Sequence, residues 1–346
     1  MESLTGMASE PSAKGAHGKT PESYSAACYD IRPAIPEDAE AICALFNKIF
    51  PDEMSLSHWQ WKYQREQSRA IVAYRDGKLI AHYGGVGTDI LMEGGHSTAI
   101  QVADLMVDPS ERQAVRQNSP FFLMASAFLD NYVGYEKPFY LGYGFPSDRA
   151  MALSDRLGLF TPIGIMHEIT WEINGADFPQ SHNLTEITQA NFADYTDRIN
   201  SLWMRFSKNL AQRYVCKKDA AFILWRYLEH PAKTYAIYLV TGRFTGKAKY
   251  LLVMRHDQQK SMLMDILTPK LDLLPAIKLA KQLARQQGNR KLETWCSETD
   301  ITRFKVEEAE DKILPVAIPA NTRSPGPAPY NQIDKWWFMP GDTDYL

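Results

Sequence analysis

The sequence predicts an α+β protein built in two halves. Three observations carry this. Segments with helical periodicity interleave with segments of strand-like apolar runs along the whole chain. Two apolar runs flank Arg75-Asp76-Gly77-Lys78, a strong hairpin signal that marks antiparallel pairing. The order helices, strands, helix, strand occurs once before residue 175 and again after residue 185. That repeat of order hints at a tandem fold; two unrelated α+β halves remain the alternative.

The elements follow in order. Residues 1–28 are rich in Ser, Gly, Ala, Pro and Lys and lack the apolar run of a secretory signal, so they are expected to be a disordered tail. Tyr29 to Ala34 reads as a short strand. Pro36-Glu37-Asp38 opens a helix whose Ala39, Ile42, Leu45, Phe46 and Ile49 share one face. A second helix is expected over Leu56 to Arg65. Strands follow at 70–74, 79–83, 88–92 and 98–107, the last ending at Asp108-Pro109. The polar stretch Ser110 to Asn118 has no periodicity. Ser119-Pro120 then starts a helix, with serine as cap and proline at the first helical position. A strand at 138–143, a helix at 147–157 and a strand at 163–173 complete the first half, bounded at 29–175.

A polar link, about 174–184, separates the halves. The second half, 185–346, is expected to hold helices at 189–208, 218–229 and 271–287. Its strands are expected at 234–240, 248–255, 262–267, 291–296 and 333–339, with a Pro-rich loop at 315–329.

Composition limits the function classes. The 346 residues are 45% hydrophobic, 23% charged and 12% aromatic, an ordinary soluble composition. A net charge of −3 argues mildly against nucleic acid as the main partner. No stretch approaches the roughly 20 apolar residues of a membrane span. Cys28, Cys43, Cys216 and Cys296 are widely spaced and form no C-x-x-C pair, which reads as reduced, buried thiols in a cytoplasmic protein. The eight histidines show no metal-ligand spacing, so no metal is expected. There is no G-x-S-x-G elbow and no phosphate-cradling P-loop. Trp59, Trp61, Trp225 and Trp337 read as core or inter-half packing. Asp265, inside the apolar run 262–267, needs a partner: it either pairs with Arg226 or lines a cleft between the halves.

The first half resembles the GNAT (GCN5-related) N-acetyltransferase family, in particular a bacterial branch of it. The resemblance rests on segments in the right order. Tyr29 to Asp38 looks like the family's opening strand and first helix. Trp59-Gln60-Trp61-Lys62-Tyr63 and Ile80-Ala81-His82-Tyr83-Gly84-Gly85 look like segments of that branch. Ala103-Asp104-Leu105-Met106-Val107-Asp108-Pro109 looks like the central cofactor strand, and Gly144-Phe145-Pro146-Ser147 through Leu159 like the fifth strand and following helix. In the second half, 223–231 and Trp337-Phe338-Met339-Pro340-Gly341-Asp342-Thr343-Asp344 also look like the branch, without a phosphate loop.

The resemblance implies two GNAT-like domains in tandem, each a mixed, largely antiparallel sheet flanked by helices. It implies acetyl-CoA as acyl donor, bound in the first half only, and a small amine or amino-sugar acceptor between the halves. The pantetheine would lie along Leu105, Met106 and Val107 as an added strand, with a backbone N–H there polarising the thioester carbonyl. The family's phosphate loop, Q/R-x-x-G-x-G/A, is altered. One register starts at Arg112 and the preferred one at Arg116, which puts Ser119 and Phe121 where glycines belong. Arg112, Arg116, Gln117, Asn118, the Ser119 hydroxyl and the amides of Phe121 and Phe122 are the expected phosphate contacts. Ser147 stands where the family often has Asn, and either touches the pantetheine or caps its helix. Ser154 stands where it often has a Tyr acid.

A general base must take the amine's proton. Asp104 is the first candidate, if burial raises its pKa; the alternative is a structural carboxylate. Tyr143 and His82 are lesser candidates. Two other readings stay open: a GNAT-like acyl-CoA or partner-binding protein that has lost catalysis, and a tandem-GNAT aminoacyl transferase that uses charged tRNA. Oligomeric state is not readable.

Overall fold

A computed structural model describes residues 24–26, 29–112, 118–174 and 182–343. The elements are β1 (Tyr24–Ala26), β2 (Tyr29–Pro33), α1 (Ala39–Ile49), α2 (Leu56–Tyr63), β3 (Arg69–Arg75), β4 (Lys78–Met92), β5 (Gly95–Val107), α3 (Pro120–Tyr132), β6 (Leu141–Tyr143), α4 (Asp148–Arg156), β7 (Phe160–Glu172) and β8 (His182–Ile187). They continue with α5 (Thr196–Lys208), β9 (Tyr214–Cys216), α6 (Ala220–Ile223), β10 (Ala236–Gly242), β11 (Ala248–His256), β12 (Ser261–Leu267), α7 (Leu274–Gln286), β13 (Lys291–Ser297), α8 (Ile301–Phe304), β14 (Glu310–Asn321) and β15 (Trp336–Trp337).

The strands form two mixed, largely antiparallel sheets flanked by helices. The first runs β1-β2-β3-β4-β5-β6, with β9 on the far part of β4 and β15 on β9. The second runs β14-β7-β13-β12-β11-β10-β8. The Asp76-Gly77 hairpin forms as expected: both residues take positive φ, which the short connection between β3 and β4 requires. α1 buries Ala39, Ile42, Cys43 and Leu45 against the first sheet, and α3 buries Met124, Ala125, Phe128 and Leu129 on the other face.

The sheets do not divide where the sequence reading put the boundary. β7 comes from the first half of the chain but pairs with β13 and β14 in the second sheet. β9 and β15 come from the second half and join the first sheet. The two halves are therefore stitched through each other's sheets.

Several local readings are corrected. Tyr24–Ala26 falls in the expected tail but pairs with Tyr29–Ile31; residues 1–23, 27 and 28 lie outside the described residues. The Pro-rich stretch read as loop contributes β14. Pro315 and Pro319 are tolerated because β14 is an edge strand, and its register shifts between Ile313 and Ala317 and between Ile318 and Pro319. β8 was hidden in the polar link and β9 in a short stretch between helices. Only Trp336–Trp337 pairs within the expected strand 333–339. The expected helix 218–229 is a short α6 continued by a π-type turn, Leu224–Leu228.

Candidate functional site

β5 and β6 run parallel and pair only at Ala99–Gln101 with Leu141–Tyr143. Beyond that they part. The opening is a cavity of about 420 Å3 between Val102–Leu105 on one side and Gly144–Pro146 on the other. This falls in the size range of ligand sites. Phe46 and Phe50 at the end of α1 close one face; Met151 and Ser154 of α4 and Phe160 of β7 close the other. The walls are mainly apolar, but among the described residues the edge of β5 past Gln101 has no strand partner on this side. An extended chain with amide groups could pair there as an added strand.

The β5 edge is shaped by a bulge. His82 pairs with Met106 but Gly84 pairs with Ala103, so β5 carries one extra residue. Asp104 takes φ 48°, a left-handed conformation uncommon outside glycine. Three contacts hold it. Lys62 Nζ lies 2.8 Å from Asp104 Oδ2, the Tyr63 hydroxyl donates to the same oxygen at 2.6 Å, and His82 Nδ1 donates to the Asp104 carbonyl at 2.8 Å. C=O and the following N–H point in opposite directions in a planar trans peptide. The His82 bond therefore turns the Leu105 N–H away from β4, to the side where the seam opens. Gly84 makes this possible: a Cβ there would strike the Tyr63 hydroxyl and His82 Cε1, so only glycine lets α2 reach the bulge.

A family model of the Acetyltransferase (GNAT) domain matches residues 30–147. This is the segment that carries the seam and the bulge. Over residues 30–147 the chain is similar to GNAT domains. Solved structures agree at the level of fold. A conserved protein of unknown function from Enterococcus faecalis, a probable N-acyltransferase, superposes with TM-score 0.66 at 12% identity, over 89% of this chain and 74% of that chain. A GCN5-related N-acetyltransferase from Anabaena variabilis gives TM-score 0.60 at 13% identity, over 86% and 73%. Saccharomyces cerevisiae N-myristoyltransferase with bound myristoyl-CoA gives TM-score 0.56 at 10% identity, over 86% and 80%. No curated protein matches the chain in sequence. These likenesses span most of the chain, across both sheets, and concern its fold.

Within this segment, Asp104 does not have the raised pKa expected of it. Burial alone would raise it, but the Lys62 ammonium and the Tyr63 hydroxyl outweigh burial and hold the carboxyl below its ordinary value. An oxygen so well served is a weak base; the carboxylate anchors the bulge. Tyr143 is buried, with its hydroxyl 3.5 Å from Cys216 Sγ and its ring stacked on Phe338 at 5.3 Å. His82 is fully buried, and burial lowers its pKa, so it acts as a neutral brace. Leu105 lines the cavity, Met106 packs into the core under α1, and Val107 pairs with Ala81.

The phosphate-loop expectations are partly corrected. Arg116 and Gln117 lie outside the described residues. Ser119 caps α3, and Pro120 is its first residue, as expected. However, the Ser119 hydroxyl accepts from the Phe122 N–H at 3.4 Å, so these two groups serve each other. Pro120 has no N–H, which leaves the Phe121 amide as the available donor of that turn. Phe121 packs against the core, and Phe122 is buried beneath the Arg323 guanidinium, 5.7 Å from its ring. Arg112 is exposed, with Nε donating to Val107 O at 3.0 Å, and Asn118 is exposed in a turn. Ser147 caps α4 through Ala150 N at 3.4 Å.

The oddest residue of the second half finds a different partner from the one expected. Asp265 is buried against Lys218 and the Tyr227 hydroxyl. Arg226 instead donates to Thr343 O at 2.8 Å, Gly341 O at 3.2 Å and Tyr235 at 3.2 Å. Trp61 and Trp225 stack across the halves at 4.9 Å, each indole donating to the other's carbonyl. Cys43, Cys216 and Cys296 are free and buried; Cys28 lies outside the described residues. Among the described residues, no group of three or more His, Cys, Asp or Glu side chains is placed to hold a metal. No described helix is long and apolar enough to cross a membrane.

Sequence reading missed two kinds of site residue. Phe46, Phe50 and Tyr83 reach the cavity from elements that periodicity marks only as core. Lys218 and Asp342 carried no spacing signal, because their partners are far away in the chain.

Proposed function

We propose that the chain is an acyl-CoA-dependent N-acyltransferase that moves a small acyl group, acetyl in the first instance, to an amine on a small molecule. The observation that carries this reading is the open β5–β6 seam with the Leu105 N–H turned towards it. The pantetheine arm lies in the seam and pairs with the β5 edge. The thioester carbonyl accepts from the Leu105 N–H, which stabilises the charge that develops on that oxygen. The amine nitrogen attacks the carbonyl carbon directly: an N–C bond forms, the C–S bond breaks, and the thiolate leaves. An acceptor that arrives as ammonium first gives one proton to solvent; the attacking nitrogen then loses a second proton, and the thiolate gains one. Asp104 is a positioning residue, held by Lys62 and Tyr63, and Tyr143 forms the wall on the acceptor side. The apolar cavity walls exclude water from the thioester.

The two sheets are further read as tandem GNAT-like units. Each contains a parallel strand pair, β5–β6 in the first and β12–β13 in the second, that parts after two or three residues. The buried free thiols fit a reducing, cytoplasmic setting.

Calorimetric titration with acetyl-CoA tests the reading. Saturable heat, followed by thiol release with a panel of amines, is expected. No binding up to millimolar acetyl-CoA overturns it. Binding without thiol release for any amine would favour an acyl-CoA-binding protein without catalysis.

A further inference from the structure

A second, much smaller cavity of about 30 Å3 lies beyond Tyr143, which lines both. It sits between α2, the inner strands of the first sheet and the closing segment 341–343. Thr88, Gln101, Cys216, Arg226 and Asp342 are among its walls. A space of this volume takes one water-sized group.

Asp342 is only 5% exposed. Its Oδ2 is fully used, accepting from Lys218 Nζ at 2.9 Å and from Met339 N at 2.8 Å. Its Oδ1 is buried and has no hydrogen-bond partner among the described residues. Buried carboxylate oxygens are normally served, and leaving one bare is costly. None of the neighbouring cations serves it. Lys218 is shared between Oδ2 and Asp265. Arg226 donates instead to Gly341 O, Thr343 O and Tyr235. Lys62 faces Asp104. Cys216 stands beside the carboxylate, and burial together with Asp342 keeps its thiol protonated, a weak donor at best.

Although Lys62 and Arg226 also line the cavity, neither donates to Asp342 Oδ1, so a small donor group entering it would meet an unused carboxylate oxygen. We propose that this cavity is the subsite for the ammonium group of the acceptor, with Asp342 Oδ1 as counter-ion. The substrate class is then a primary amine carried in its charged form, delivered to the wall of the donor seam at Tyr143. Its place in acyl transfer rests on the function proposed above, but ammonium binding itself does not.

The test therefore uses no acyl donor. Binding of n-butylammonium and of n-butanol, its neutral counterpart, is followed by the fluorescence of Trp61 and Trp225, which line the cavity. The wild-type protein is expected to prefer the ammonium by at least about tenfold. Asp342→Asn is expected to abolish that preference while retaining cooperative unfolding. Equal binding of the two probes by the wild type, or an unchanged preference in the folded variant, overturns the proposal. If the variant fails to fold, the wild-type discrimination decides. Failure here leaves acetyl-CoA binding untouched, so the two readings fall separately.

Discussion

The two sheets contain the same opening and treat it in opposite ways. In the first, β5 and β6 part after Gln101 and Tyr143, and the gap is a cavity. In the second, β12 and β13 pair only at Ser261–Met262 with Leu292–Glu293. There the gap is filled. The turn Pro340–Asp342 packs against both strands, and Trp337 and Met339 join the second core. Thr294 Oγ1 bridges to Leu263 O at 2.8 Å, and Asp265 on β12 meets Lys218, which also holds Asp342. A parted pair of strands exposes polar edges, and these must be met by something. In one sheet the chain itself meets them. In the other they remain available to a ligand.

This contrast can be broken from either side. The largest effect is expected from Lys218→Met, which removes the cation shared by two buried carboxylates. Loss of a buried partner costs about 3–5 kcal/mol, read as a lowered midpoint in chemical denaturation. A midpoint equal to that of the wild type would mean that the plug does not depend on the ion cluster. Gly341→Ala overfills the same plug, since a Cβ there would collide with the Tyr227 hydroxyl and Asp265. It should cost about 1–3 kcal/mol in the same assay. Ser154→Trp imposes a plug on the open seam. Acetyl-CoA affinity should fall by at least about tenfold, or about 1.4 kcal/mol, with little change in unfolding midpoint. Unchanged affinity would place the donor elsewhere.

The smallest effect sharpens the joint between the halves. His230 packs on Trp61 at 4.4 Å, and its Nδ1 accepts from Ala232 N and Lys233 N, each at 3.1 Å. Burial, and after it the Arg226 guanidinium, push its pKa down from 6.5 to about 3. The unfolded chain then binds more protons than the folded one between these values. Stability is full above pH 6.5 and falls as the pH drops towards 3. His230→Gln should flatten that slope in denaturation curves taken across the interval. An equal slope would assign the acid sensitivity to another group.

Much of the first sheet was legible. Asp76-Gly77 named its hairpin, Ser119-Pro120 named the start of α3, and Ala103 to Pro109 marked the strand that flanks the cavity. These are local signals, set by turn chemistry, capping and periodicity. The role of Asp104 was not legible, because its pKa depends on Lys62 and Tyr63, which arrive from another element. β14 was not legible either: prolines argue for a loop unless the strand lies at an edge, and edge position is a tertiary fact.

The sequence by itself determined the α+β class, most helices and strands, and the strand that borders the open seam. Periodicity and turn residues act over a few positions, so one chain segment suffices to read them. The tertiary structure alone decided that β7, β9 and β15 cross between sheets, and that the second seam is closed while the first stays open. It also decided that Asp265 pairs with Lys218, and that one oxygen of Asp342 has no partner among the described residues. These depend on contacts between residues dozens to more than a hundred positions apart, and on how burial and charge balance once those residues meet.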